Sequence, residues 1–267
     1  MLWGMKSALI LPLSVLTSCV MTTAGTPGAL RDAVVRDTST AAYGTLGVEL
    51  GVEVDPGDRQ HVPLRLEYGY SAETALFLDV AAYEKVNRPG DDGEGFGDLG
   101  LGVRQRMFEN HSGTTGALEG RLTLPTGDEG EGTGTGSVDL YAAGVLSQAF
   151  EEVLVSGWLE LGVLGDAFDS GTDMQRTVGV ATAANLGETL IGFGALERTF
   201  GDHLDPALGR VGVAWRTQGS MMIDLGLSVG LNNDAPDGAA FFVGFSSNLG
   251  VLGPRGPYRV PEGELGQ

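Results

Sequence analysis

The chain has 267 residues, 44 of them glycine, and sets 16 Lys plus Arg against 35 Asp plus Glu for a formal charge of −19. That balance argues against a nucleic-acid partner, because gripping phosphates needs clustered Lys and Arg. A single cysteine excludes an internal disulfide and any Cys-based metal or redox site, and no apolar run after residue 20 approaches the roughly 20 residues of a membrane helix.

Residues 1–18 place Lys6 ahead of the apolar stretch Ala8 to Leu16, the order of a secretory signal. Losing Lys6 with that segment leaves 15 basic against 35 acidic residues, about −20. Leu16-Thr-Ser-Cys19 resembles a bacterial lipobox, which would lipidate Cys19, while Thr22-Thr-Ala24 suits an ordinary signal peptidase; both readings stand. Residues 19–44 carry no regular alternation and are expected to form a periplasmic leader or a partial plug.

From Thr45 onward the pattern changes to period two. Leu46, Val48, Leu50, Val52 and Val54 fall on one face of a strand and Gly47, Glu49, Gly51 and Glu53 on the other. The same alternation predicts twelve strands, at about 45–55, 61–70, 74–86, 96–108, 116–125, 137–148, 153–165, 174–184, 188–199, 207–217, 220–230 and 239–248. Each is near the 9 to 11 residues that a tilted strand needs to cross a bilayer, and an even number suits a single-chain barrel. The expected fold is therefore all-β: a transmembrane antiparallel up-and-down β-barrel over residues 45–248, followed by a Pro/Gly-rich tail at 249–267.

The predicted connections alternate too. Ser71-Ala-Glu73, Phe150 to Glu152, Asn185 to Gly187 and Gln218-Gly219 are short, with Glu109 to Thr115 somewhat longer. Those at the other strand ends, among them Asn87 to Gly95, Thr126 to Gly136 and Leu231 to Gly238, are longer and rich in turn formers. Short periplasmic turns and long outer loops are what insertion from the periplasm leaves behind. The outer loops hold most of the acidity, including Asp91, Asp92, Glu94, Asp128, Glu129, Glu131, Asp166, Asp169, Asp173, Asp202, Asp205, Asp234 and Asp237. Solvated loops explain this plainly; a negative rim that bridges through divalent ions to lipopolysaccharide is the sharper reading.

If lipid wets the apolar register, the opposite register faces a lumen and supplies Glu49, Glu53, Arg65, Glu67, Asp79, Asp98, Arg104, Arg106, Glu119, Arg121, Asp139, Glu160, Arg210, Arg216 and Asp224. Arg104 and Arg106 on the fourth predicted strand lie beside Glu119 and Arg121 on the fifth, so cross-strand ion pairs are expected, either as a channel constriction or as an interior brace. Tyr68, Tyr70, Trp158, Trp215, Phe241 and Phe245 read as an interfacial girdle. Catalysis finds little support, since His61, His111 and His203 lie in or beside loops with no nucleophile at an informative spacing. No motif asks for a cofactor or a metal.

Three stretches carry a family resemblance: Val62 to Tyr70, Gly95 to Val103 with Arg104 to Glu109, and Leu122-Thr-Leu-Pro-Thr-Gly-Asp128 with Gly134 to Ser137 and Asp139. Together they resemble the outer-membrane channel family of the MetA pathway of phenol degradation, over most of residues 45–248. The resemblance implies a Gram-negative outer-membrane barrel passing small, often aromatic or hydrophobic solutes. Cys19 in a lipobox and a Pro-rich tail without a terminal aromatic depart from that pattern. The expected partners are outer-membrane lipid, lipopolysaccharide and a small-molecule solute. Two alternatives remain at this level: a closed structural or surface-interaction barrel without transport, and a soluble β-sandwich lipoprotein tethered through Cys19.

Overall fold

The computed structural model describes residues 36–55, 59–88, 91–165, 172–201, 205–217, 221–235 and 238–251. The signal segment, Cys19, His203 and the Pro-rich tail beyond Val251 lie outside them, as do Asp166, Asp169, Asp202 and Asp237.

Thirteen strands follow in chain order: β1 (Thr45–Asp55), β2 (Arg59–Gly69), β3 (Thr74–Arg88), β4 (Asp91–Gly95), β5 (Leu99–Glu109), β6 (Thr114–Leu124), β7 (Asp139–Phe150), β8 (Val153–Gly165), β9 (Thr172–Asn185), β10 (Leu190–Phe200), β11 (Ala207–Arg216), β12 (Met222–Gly230) and β13 (Ala239–Val251). Twelve of them form a closed antiparallel ring, in which β1 pairs with both β2 and β13, and β2 pairs with β3. Closure leaves no second sheet for the apolar faces to meet, so the soluble sandwich is excluded.

The additional strand corrects the sequence reading. Residues 87–95 were expected as loop and the fourth strand at 96–108. Instead β3 outruns the wall: Thr74–Val80 pairs with β5, while Glu84–Arg88 pairs with the short β4 in a hairpin at the long-loop rim. The register shift at Val62/Pro63 on β2, where proline has no N–H for the ladder, marks where β3 leaves the regular wall.

Outward positions are apolar in almost every strand. Leu50, Val52 and Val54 on β1, Leu101 and Val103 on β5, Leu159, Leu161 and Val163 on β8, and Leu225, Leu227 and Val229 on β12 are all exposed. In water this surface would drive aggregation; in a bilayer it is the solvated face. Tyr70, Phe108, Phe150 and Trp215 stand exposed near the short-turn ends, and Phe200 and Phe241 near the long-loop ends, in keeping with interfacial girdles.

Turn chemistry fixes the short ends. Asn110 Oδ1 accepts hydrogen bonds from the N–H groups of Ser112 and Thr114, and Ser71 Oγ accepts those of Glu73 and Thr74. Such side-chain caps satisfy backbone donors where the ladder stops. The long 125–138 connection folds back over the barrel mouth, with Thr133 and Ser137 buried.

Candidate functional site, a two-walled lumen

Side chains of the inward register divide the lumen into two unlike walls. The first is ionic and lies on β2, β3, β5, β6 and β8. Arg65 grips Asp79 with two hydrogen bonds, Nε to Oδ1 at 2.6 Å and Nη2 to Oδ2 at 2.8 Å, across the β2–β3 ladder. Arg104 on β5 donates twice to Glu119 Oε2 on β6, at 2.7 and 3.0 Å. Both members of that pair are buried, at 2% and 6% exposure, and the pairing offsets the cost of taking their charges out of water.

Residues 36–44 lie against this wall. Arg36 donates to Glu119 Oε1 at 2.6 Å and to Glu160 Oε2 on β8 at 2.9 Å. Arg104 Nη1 reaches the Ser39 carbonyl at 3.1 Å, Thr38 and Thr115 share a hydroxyl contact at 2.5 Å, and the Ala41 N–H donates to Glu67 at 2.6 Å. The segment leaves at the short-turn end, where Tyr43 bridges Gly69. Arg36 was not among the predicted lumen residues, and no periodic signal could have found it, because the segment is not a strand and its register is set by its partners.

The second wall is apolar. Val145, Trp158, Ala181, Ala183, Ile191, Phe193, Ala195, Ala214, Met222 and Phe242 form one buried cluster on β7–β13. Trp158, expected in a girdle, faces inward here, since it shares the register of Ser156 and Glu160. Its ring lies across Gly179, directly opposite on β9. The same arrangement recurs four times: Phe77 over Gly102, Tyr141 over Gly162, Phe193 over Gly212 and Phe242 over Gly226, each a direct cross-strand pair. A Cβ at Gly162 would come within 2.9 Å of Tyr141 and one at Gly226 within 2.6 Å of Phe242. Glycine thus lets an aromatic ring lie flat on the wall instead of crossing the lumen. The Phe193 and Phe242 rings face each other with centroids 6.1 Å apart. Parity with the neighbouring acids and a glycine opposite were the available signals for these inward aromatics.

Toward the long-loop mouth lies a cavity of about 550 Å³, lined by Arg59, His61, Glu84, Arg121 and Tyr141 and roofed by Thr133 to Thr135. Its roof hangs on two carboxylates. Asp98, between β4 and β5, accepts from the Gly127 N–H at 2.9 Å and from Thr135 N and Oγ1 at 2.7 and 3.0 Å. Asp139, 1% exposed, accepts from Ser137 Oγ, Thr135 Oγ1 and the Gly165 N–H. The Pro-Thr-Gly-Asp and Gly-Thr-Gly-Ser stretches of the sequence resemblance are thus the parts of this folded loop, with Gly132 and Gly136 taking positive φ of 69° and 70°.

The remaining predicted positions fall as follows. Glu49 and Glu53 sit on the inward face of β1, opposite Arg65 and His61 respectively. Arg210, Arg216 and Asp224 take the inward register of β11 and β12, and Asp224 is 1% exposed. Arg106 does not form the expected cross-strand ion pair; it stands opposite Ala117 and reaches the Ala72 carbonyl and Glu109 near the short-turn end, and the register shift falls beyond it, at Phe108. Arg121 has no ion-pair partner among the described residues and stacks on Tyr141, its guanidinium carbon 4.3 Å from the ring centre. Of the histidines, His61 lies 3.7 Å from Glu84, which also holds Arg59, and His111 is exposed in a short turn.

No protein-family model matches this sequence, and no curated protein matches it. Solved structures do share its architecture. A COG4313 outer-membrane channel from Pseudomonas putida F1 superposes with a TM-score of 0.66 at 14% identity, over 79% of this chain and 98% of that one. The KdgM porin, solved with disordered oligogalacturonate, gives 0.56 at 8% identity over 75% and 98%. The NanC porin gives 0.56 at 8% identity over 76% and 98%. The fold held in common is that of the Gram-negative outer-membrane barrel.

Proposed function

We propose that this protein is an outer-membrane channel for passive uptake of small solutes, with aromatic or hydrophobic molecules as its preferred class. The observation that carries this reading is the apolar wall inside the barrel. A barrel built only as a scaffold has no need of the flattened rings of Tyr141, Trp158, Phe193 and Phe242 along β7–β13, nor of the Trp158 indole N–H buried without a partner among the described residues. An apolar surface with one convergent donor suits a small aromatic solute that carries an oxygen acceptor. The resemblance to phenol-degradation channels supports the same class, and the porin-like architecture supports passage without energy coupling.

Residues 36–44 act in this reading as an internal constriction, with Arg36 as its latch between Glu119 and Glu160. Exchanging Arg36 for Ala releases the segment from two strands at once. Planar-bilayer recordings are expected to show higher open conductance for Arg36→Ala than for wild type, and liposome swelling is expected to be faster with phenols than with sugars of similar size. Equal, negligible permeation of both solute classes by intact wild-type and variant barrels would exclude a channel.

That outcome would favour the second reading, a closed barrel that binds at its surface. The Arg104–Glu119–Arg36–Glu160 network, buried at Arg104 and Glu119 and part-buried at Arg36 and Glu160, is the observation on its side, since it fills the lumen with paired charge.

A further inference from the structure

Transmembrane barrels keep charge off their lipid face, and apart from the Lys85–Glu94 pair on the β3–β4 hairpin at the rim this one does so with a single local exception. Along the outward register of β1, β2 and β5–β13, the described residues are apolar, glycine or uncharged polar, apart from Arg176 on β9 and Arg198 on β10. The two are not scattered. Phe200 pairs with Arg176 and Val178 pairs with Arg198, which makes the arginines diagonal cross-strand neighbours, roughly 7–8 Å apart. Both are exposed, and Arg198 lies over the Phe200 ring with its guanidinium carbon 4.8 Å from the centre.

Their surroundings are apolar: Leu161 stands opposite Arg176 on β8, and Leu196 precedes Arg198 on the same face. The acids nearest in sequence, Asp173 and Glu197, belong to the opposite register. Both arginines sit near the long-loop ends of their strands. On a chain of net charge −19, an isolated cation pair on the lipid-facing surface, without a carboxylate on its own face, is a site for an anion delivered by the membrane.

We infer that Arg176, Arg198 and Phe200 dock a phosphate-bearing glycolipid of the outer leaflet. Two guanidinium forks can share one phosphate group through paired N–H donors, while Leu161, Val178 and Leu196 lie along its acyl chains. Binding also relieves the repulsion between the two like charges. The inference rests on the outer-membrane reading with the long loops outward.

The test reconstitutes the full-length barrel in phosphatidylcholine vesicles that carry either bisphosphorylated lipid A or the same lipid A stripped of its phosphates. Lipid retained by the protein is then counted by native mass spectrometry. Wild type is expected to hold the phosphorylated form about tenfold more tightly, and Arg176→Gln/Arg198→Gln to lose most of that preference. Millimolar inorganic phosphate is expected not to displace the lipid. Equal retention of the two lipids by wild type, an undiminished preference in the double variant, or displacement by free phosphate would each overturn the site. Heat-dependent gel migration is recorded in both vesicles: a chain that inserts in neither removes the membrane reading together with the site, whereas an inserted barrel indifferent to phosphate removes the site alone.

Discussion

Trp158 lies flat because Gly179, directly across the β8–β9 ladder, has no Cβ to lift the ring. Gly179→Ala is expected to force the indole off the wall and to cost about 1–3 kcal/mol, as overpacking of a well-filled interior does. The control is Gly187, in the β9–β10 turn, where an added Cβ meets nothing within 4 Å; Ala there should stay within about 0.5 kcal/mol of wild type. Urea unfolding in detergent compares the two, and equal midpoints would remove the seating role of glycine. Charge is treated differently at Glu119, which holds Arg104 through one carboxylate oxygen and Arg36 through the other. Glu119→Ala takes the counter-charge from the buried Arg104 guanidinium and one of two from the part-buried Arg36, with an expected loss of about 3–5 kcal/mol. Glu160→Ala, which touches the same network only through Arg36 and from a more exposed position, should unfold at a clearly higher urea concentration than Glu119→Ala.

At the scale of elements, most of the wall was legible because a half-lipid, half-lumen strand repeats every two residues, and the twelve predicted spans overlie the ring of strands. What escaped has physical reasons. The register shifts at Val62/Pro63 and Arg106/Phe108 break the period locally, so β4 and the exposure of Met107 and Phe108 side by side could not be read from alternation. Trp158 was assigned by residue type when its parity with Glu160 pointed inward. Residues 36–44 have no period to read at all. The loop that the sequence marks as Thr126 to Gly136 is legible as Gly-rich and acidic, yet Asp98, which lies outside it, holds its two ends through Gly127 and Thr135. Asp98→Ala is therefore expected to free the loop from the mouth while leaving the barrel folded. Protease added to whole cells should cut the variant within 125–138 faster than wild type, and an unchanged cutting rate would mean that Asp139 holds the loop alone.

Over the whole molecule, what matters is closure. A sheet of twelve strands whose outer face is Leu, Val and Gly is stable only if every ladder finds a partner, since an unpaired edge inside hydrocarbon strands its N–H and C=O groups. In this chain the seam is made by β13, which pairs with β12 on one side and β1 on the other over most of its length. β4 pairs with β3 alone, outside the ring. The two strands therefore separate closure from mere strand content. Replacing Asp91–Gly95 by a short Gly-Ser linker should leave the barrel compact, with an unheated gel band that runs ahead of the heated one and a chain that stays in the membrane at alkaline pH. Ending the chain after Gly238 removes β13, opens two edges at once and should abolish the compact band. If the truncated chain kept its fast-migrating form, closure through β13 could not be what holds the wall together, and the lipid-facing assignment of its Leu and Val side would lose its physical basis.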